Sequence, residues 1–371
     1  MRRTCPLKTS AFAARLPGLL LVLVGMFGAG SLACQAATFY RLESAVVLPG
    51  TSPAWDYLTF DVARSYLFIG RRHAGVTVYD VRTRKVVASI ADSKGANRAI
   101  LVPEIGRGFT VNEDGSTTEF DLRSLKTLRR IRFGHDADSG SYDPATGQIL
   151  FTMGGSRKIV FLDARSGHVT ARLPLHSSKI EASAPDGHGN VFVAERDRNR
   201  VIRIDARAHK VTAAWSTAPC KQPTGLAYDA KDRRIFVGCR GDRPVLAVLN
   251  ADSGKVVSII EIGRGNDGVV YAPQTHRIYA SNGVDANVVV IDQTGANTYR
   301  LDQAITTRPM ARTMALDAKR DQIYLVTAQG AVDPARKVDR AVAPFYPNIY
   351  FDNTFVVLTY GKSPTVKPSV H

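Results

Sequence analysis

An alternating, β-rich run that ends in Asp or Asn recurs along this chain at an almost constant interval. The runs are VTVYD (ending at Asp80), TTEFD (Asp121), IVFLD (Asp163), VIRID (Asp205), LAVLN (Asn250) and VVVID (Asp292). Successive ends lie 41, 42, 42, 45 and 42 residues apart, and FVVLTY (355–360) closes the series after a longer gap. Seven strands at such a period predict an array of four-stranded blades. Each repeat carries the same parts in order. A polar start leads into a strand ending near Asp, as in WDYLTFD (55–61) and TGLAYDA (224–230). A second strand follows (YLFIG, VFVAE, IFVGC), then the Asp-marked third, a turn such as ADSG (251–254), and a fourth (KVVASI, KVTAAW, KVVSII). Gly, Asn and Asp at these offsets suit tight hairpins.

The last repeat stops at its third strand, while YRLESAVVL (40–48) precedes the first complete repeat. Joining the two in one blade seals the ring and removes two free sheet edges. The expected fold is therefore all-β: a seven-bladed β-propeller closed by pairing the N-terminal strand with the C-terminal blade, over residues 38–371. An insertion at 329–353 in the last blade, with Pro334, Pro344, Pro347 and several aromatics, leaves open a lid, a partner surface and a disordered excursion.

The first 37 residues read as a secretory signal peptide. Arg2, Arg3, Lys8 and Arg15 precede the apolar run LPGLLLVLVGMF (16–27), and small residues follow. A periplasmic or extracytoplasmic location follows from it. Contact with the membrane is expected only if Cys34 is lipidated; Ser31 stands where a lipidation motif wants an aliphatic residue. Cys220 and Cys239 are the two cysteines of the exported part. Their loops share one face of a blade, so a disulfide is expected. The formal charge of +16 falls to +12 once four basic residues and no acid leave with the signal segment. The basic residues are scattered, so a soluble basic surface and a polyanion-binding one both stay open.

Several segments resemble the YncE-like, YVTN-repeat propellers of bacteria. They are IYASN (278–282), the VVVID…TG pattern, WDYLTFD, PEIGRGF (103–109), APCKQPTGLAYDAKDRRIFVGC (218–239) and ARTMALD (311–317). The GH and terminal WD dipeptides of eukaryotic WD40 repeats do not recur. The resemblance covers nearly all of the exported chain and implies the propeller fold. In the branch it points to, a His often stands where this chain has Arg98.

In a propeller the first strand of each blade lines the central channel. Counting five positions back from each strand-ending Asp or its counterpart yields a ring at one mouth: Asp56, Arg98, Asp138, Glu181, Thr224, Asp267 and Arg312. Six of the seven are ionisable. Four acids are able to hold a divalent cation, but two arginines in the same ring oppose it and favour a carboxylate or a zwitterion. No dedicated metal site or cofactor is expected beyond that cation, and a solvated, mutually paired rim is the plain alternative. The sequence lacks G-x-S-x-G, H-E-x-x-H and a P-loop, so catalytic residues stay unassigned. The leading expectation is a monomeric exported binding or scaffold protein. It would hold a small polar or anionic ligand, or a protein partner, at the channel mouth. A lactonase-type hydrolase, metal-assisted or not, and a nucleic-acid-binding propeller are the alternatives.

Overall fold

The computed structural model describes residues 39–340 and 342–362. The expected signal peptide, Cys34 among it, lies outside the described residues. Twenty-eight strands form seven four-stranded antiparallel sheets. Blades 1 to 6 take consecutive strands: 58–90, 96–132, 137–174, 180–216, 223–261 and 266–306. Blade 7 combines Met314–Asp317, Gln322–Thr327 and Val356–Lys362 with the N-terminal strand Tyr40–Val47 as its outermost member. Tyr40 pairs with Lys362 and Val47 with Val356, so the two ends of the described chain close the ring as expected. No helix among the described residues is long and apolar enough to cross a membrane.

The marker residue of the repeat has a local job. Asp205 ends a third strand and accepts hydrogen bonds from the N–H groups of Arg207 and Ala208, both at 2.9 Å. Asp80, Asp121 and Asn250 bond the N–H groups two and three residues on in the same way. The carboxylate or amide thus holds the turn into the fourth strand closed. That explains why the repeat tolerates Asn there and requires an oxygen.

The second and third strands of each blade are buried on both faces. The fourth alternates, as in the half-buried, exposed pattern of Val169–Pro174. Apolar side chains of neighbouring blades interlock between the sheets. Phe109 and Val111 of blade 2 pack with Phe133, Phe151 and Val160, and the Phe133 and Phe151 rings sit 4.5 Å apart. A Cys220–Cys239 disulfide ties the loop before blade 5 to the end of its second strand, with Cα atoms 5.7 Å apart. Closing a loop of this length stabilises the fold by about 3 kcal/mol in the chain-entropy account.

Candidate functional site

A cavity of about 580 Å³ opens at one end of the ring axis. Its wall carries five acids (Asp56, Asp136, Asp138, Glu181, Asp267) and five bases (Arg72, Lys179, Arg196, Arg240, Arg312). Five of the seven sequence-derived ring positions line it: Asp56, Asp138, Glu181, Asp267 and Arg312. The inner strands share a reason for this. In blades 2, 3, 5 and 6 the inner strand slips register at its second residue, between Ala96 and Arg98, Ala137 and Ser139, Pro223 and Gly225, and Asn266 and Gly268. The skipped residue is unpaired, and such a bulge re-aims a side chain. In blades 3 and 6 the re-aimed groups are the Asp138 and Asp267 carboxylates.

Two ring assignments do not hold. Strand pairing sets Val102 opposite Arg107 as Asp229 is set opposite Arg234, so the residue of blade 2 in phase with the ring is Asn97. Arg98 is one step further in, and lines a separate axial space below the mouth. Blade 2 carries Val102 where blades 1, 3, 4, 5 and 7 carry an Asp, and a count taken from Pro103 overshoots by one; blade 6 lacks the Asp too, but Ala272 keeps its place in the count. Thr224 is in phase but fully buried, and its hydroxyl donates to the Gln222 carbonyl at 3.1 Å rather than to the cavity.

Four further cations were not expected. Lys179 comes from the segment before the inner strand of blade 4, and the other three, Arg72, Arg196 and Arg240, each follow a second strand, after YLFIG-R, VFVAE and IFVGC, a recurrence that marks them. The arginines neutralise most of the ring. Arg72 binds Asp56 at 2.5 Å and also Glu113. Arg196 reaches Glu181 at 3.2 Å. Asp267 is held from two sides, by Arg240 at 2.5 Å and Arg312 at 2.9 Å. Arg312 also donates to the Trp55 carbonyl at 3.0 Å and lies over the Trp55 ring. Gly283 makes room for it: a Cβ there would meet that of Arg312 at 2.7 Å.

Asp138 is different. Among the described residues it has no ion-pair partner and accepts no side-chain hydrogen bond. Burial, then repulsion by Asp56, Glu181 and Asp267, pushes its carboxyl up to about 7 against the pull of Arg72. Burial raises Asp56 to about 6 despite Arg312 and Arg72. Glu181 is raised too, by burial and by Asp267. Burial opposes the charge of Arg240, but Asp267 and Glu181 outweigh it and hold the guanidinium firmly protonated. Lys179 faces the cavity with no ion-pair partner among the described residues. No group of three His, Cys, Asp or Glu side chains among the described residues is placed to hold a metal ion.

The insertion covers the mouth. Tyr346, Pro347, Asn348 and Tyr350 form its share of the cavity wall. Gly330–Ala331 pairs with Ile349–Tyr350 at its base, and the Tyr350 ring meets Trp55 edge-on at 5.0 Å. Tyr57 forms the floor, lining both the mouth and the axial space beneath it. Burial and the surrounding acids hold the Tyr57 phenol well above its ordinary range.

No curated protein matches the chain in sequence. Among solved structures, the chain is similar in fold to Kuenenia stuttgartiensis hydrazine synthase, with a TM-score of 0.64 and 14% identity over 75% of this chain and 94% of that one. A chain of a mitotic checkpoint complex gives a TM-score of 0.68 and 14% identity over 88% and 95%. The RRP9 WD40 repeats give 0.68 and 10% over 87% and 100%. At these identities the likeness is one of fold. The family model described as outer membrane protein assembly factor BamB matches residues 113–339, more than half of the sequence. With seven blades closed into a ring behind that match, the chain belongs to the outer membrane protein assembly factor BamB family.

Proposed function

We propose that this propeller is an exported binding protein that takes a small zwitterionic ligand, of amino-acid or short-peptide type, under the lid at its channel mouth. The observation that carries the reading is a pair of uncommitted opposite charges, Asp138 and Lys179, on the wall of a cavity whose other ring charges are mostly paired. An ammonium group has Asp138 to meet, and a carboxylate has Lys179. A bare divalent cation has little to gain, because guanidinium groups already occupy Asp56, Glu181 and Asp267.

Export fits the same picture. The signal-like residues 1–37, the disulfide and the family's description in outer membrane protein assembly support a periplasmic propeller released by cleavage near residue 37, as a monomer. The IYASN and WDYLTFD motifs support a place in the YncE-like branch of such propellers. A second reading draws on the Asp138 carboxyl at about 7, which suits a general acid–base group in lactone hydrolysis. The nucleic-acid reading has less support, since arginines of the mouth and Arg129, Arg130 and Arg132 on the outer strand of blade 2 are ion-paired.

Calorimetric titration with free amino acids, dipeptides and simple carboxylates tests the binding reading. Binding of at least one zwitterion, weakened tenfold or more in Asp138→Asn and in Lys179→Ala, is the expected result. A panel that gives no heat, alongside turnover of lactones with or without divalent metal, transfers the site to the hydrolase reading.

A further inference from the structure

Below the Tyr57 floor lies a second cavity of about 250 Å³ on the ring axis. Its one uncommitted charge is Arg98. The Nε of Arg98 is buried, and no hydrogen bond or ion pair reaches the guanidinium among the described residues. The Tyr57 ring lies 5.5 Å from the guanidinium carbon and the Asp56 carboxylate attracts the cation from the mouth, but neither takes a hydrogen bond from its N–H donors. A buried lysine or carboxylate escapes such a position by changing protonation state; an arginine does not. Arg98 is half-buried, with its Nε cut off from solvent, and a cation desolvated this far gains from an anion beside its remaining N–H groups.

The other wall residues say which anion. Asp267 is the acid on this wall, and Arg240 and Arg312 already take both of its oxygens. The space therefore presents a single net positive charge, which suits a monovalent anion. The guanidinium fork matches a planar pair of oxygens. The rest of the lining is mixed: Thr59, Ser183 and backbone groups share it with a cluster of apolar side chains, Leu58, Leu226, Val269 and Met314, each keeping a trace of exposure. The inner strands of blades 4, 5 and 6 contribute only small groups at this depth, Ala182, Gly225 and Gly268, and these leave the room that the fork faces.

We infer that the axial channel of this propeller is a binding site for a small monocarboxylate with a short aliphatic chain, held by the Arg98 fork against Tyr57. The site lies below the mouth and shares Tyr57 and Asp267 with it, while Arg98 belongs to the lower space alone. Arg98 positions the carboxylate head, and the apolar cluster accepts the tail.

The test is titration of the purified exported chain, dialysed free of carboxylates, with acetate, propionate and butyrate at constant chloride. Calorimetry and the ¹³C resonance of labelled propionate report binding. The expected result is one site per chain, with affinity rising from acetate to butyrate. Arg98→Met, which keeps the bulk and removes the charge, should lose at least tenfold in affinity. Arg98→Lys, which keeps the charge and loses the fork, should fall between the two. Circular dichroism and thermal unfolding verify that each variant is folded; should Arg98→Met not fold, the Arg98→Lys series and the wild-type titration decide. A silent wild type overturns the inference, as does Arg98→Met binding like the wild type. Chloride displacing propionate at equal concentration overturns the carboxylate assignment.

Discussion

Asp138 is the residue on which the chemistry of the mouth turns. Its carboxyl titrates near 7 because burial and three neighbouring acids penalise the anion, while the one cation that favours it, Arg72, is already committed to Asp56 and Glu113. An unfolded chain releases the same proton near 4. Between those values the folded state binds the extra proton, so this group's contribution to stability is complete below about pH 4 and is lost as pH rises toward 7. Asp138→Asn removes the titration and keeps the shape. The variant should therefore gain on the wild type by about 1 kcal/mol for each pH unit between 4 and 7, with no further gain above. Urea unfolding of both proteins at pH 5, 6, 7 and 8 measures this; parallel curves would show that Asp138 is ionised throughout. Asp56 contributes in the same direction and repels Asp138, so the difference reports Asp138 together with the relief its removal gives Asp56. The candidate acids were legible from the repeat phase alone, because an ionisable residue at a channel-lining position stands out against apolar strands. The partners were not. Arg72, Arg196 and Arg240 share a place after second strands, but their pairing with Asp56, Glu181 and Asp267 is set by loop geometry. Arg98 was misplaced because the count relied on an Asp that blade 2 lacks at Val102.

At the scale of elements, the insertion is what adds a wall of Tyr346, Pro347, Asn348 and Tyr350 to one side of the open mouth. Its loop is organised by Asn348. That side chain accepts from the Asp333 N–H at 2.7 Å and donates to the carbonyls of Asp333 and Lys337 at 2.9 and 3.1 Å. These bonds stay within the insertion, and the blades contribute none of them. Asn348→Ala should accordingly loosen the loop by about 1–3 kcal/mol of local stability while leaving the unfolding of the ring unchanged. Limited proteolysis reads the first effect as faster cleavage within 332–347; a thermal melt reads the second. If the melting temperature falls with the cleavage rate unchanged, the loop is part of the ring's cooperative unit and the lid assignment fails. The sequence marked this segment by its length and prolines, since an excursion of that size breaks a period kept elsewhere within a few residues. Its fold over the mouth was not legible. The short Gly330–Ala331 pairing with Ile349–Tyr350 and the Tyr350–Trp55 contact depend on a surface that exists only after seven blades have closed.

For the molecule as a whole, the question is what keeps a chain of near-identical units from remaining an open array. A linear stack needs only neighbour contacts, and each unit adds its own stability to the sum. A ring adds one junction, and here that junction is the pairing of Tyr40–Val47 with Val356–Lys362 across the two ends of the sequence. It could be foreseen because the last repeat lacks a fourth strand and the first is preceded by a spare one; a bulge between Leu42 and Ser44 could not. Tyr40 and Leu48 are buried by the closure. Gln303 of blade 6 holds the backbone of Tyr40 from both sides, accepting its N–H at 3.1 Å and donating to its carbonyl at 3.2 Å. Removing residues 38–48 from the propeller would strip this strand, expose the edge of Val356–Lys362 to pairing with other chains and free the first blade from the last. At about 1 kcal/mol for each ladder bond and about 2 kcal/mol for each large side chain uncovered, the loss is on the order of 10 kcal/mol, comparable to the whole stability of many domains. The truncated chain should be aggregated or unfolded at 25 °C by size-exclusion chromatography and circular dichroism. Supplying the missing strand as a synthetic peptide of residues 38–48 during refolding should restore a monomeric ring. A truncated chain that melts within a few degrees of the intact one would show that the blades hold their circle without the junction.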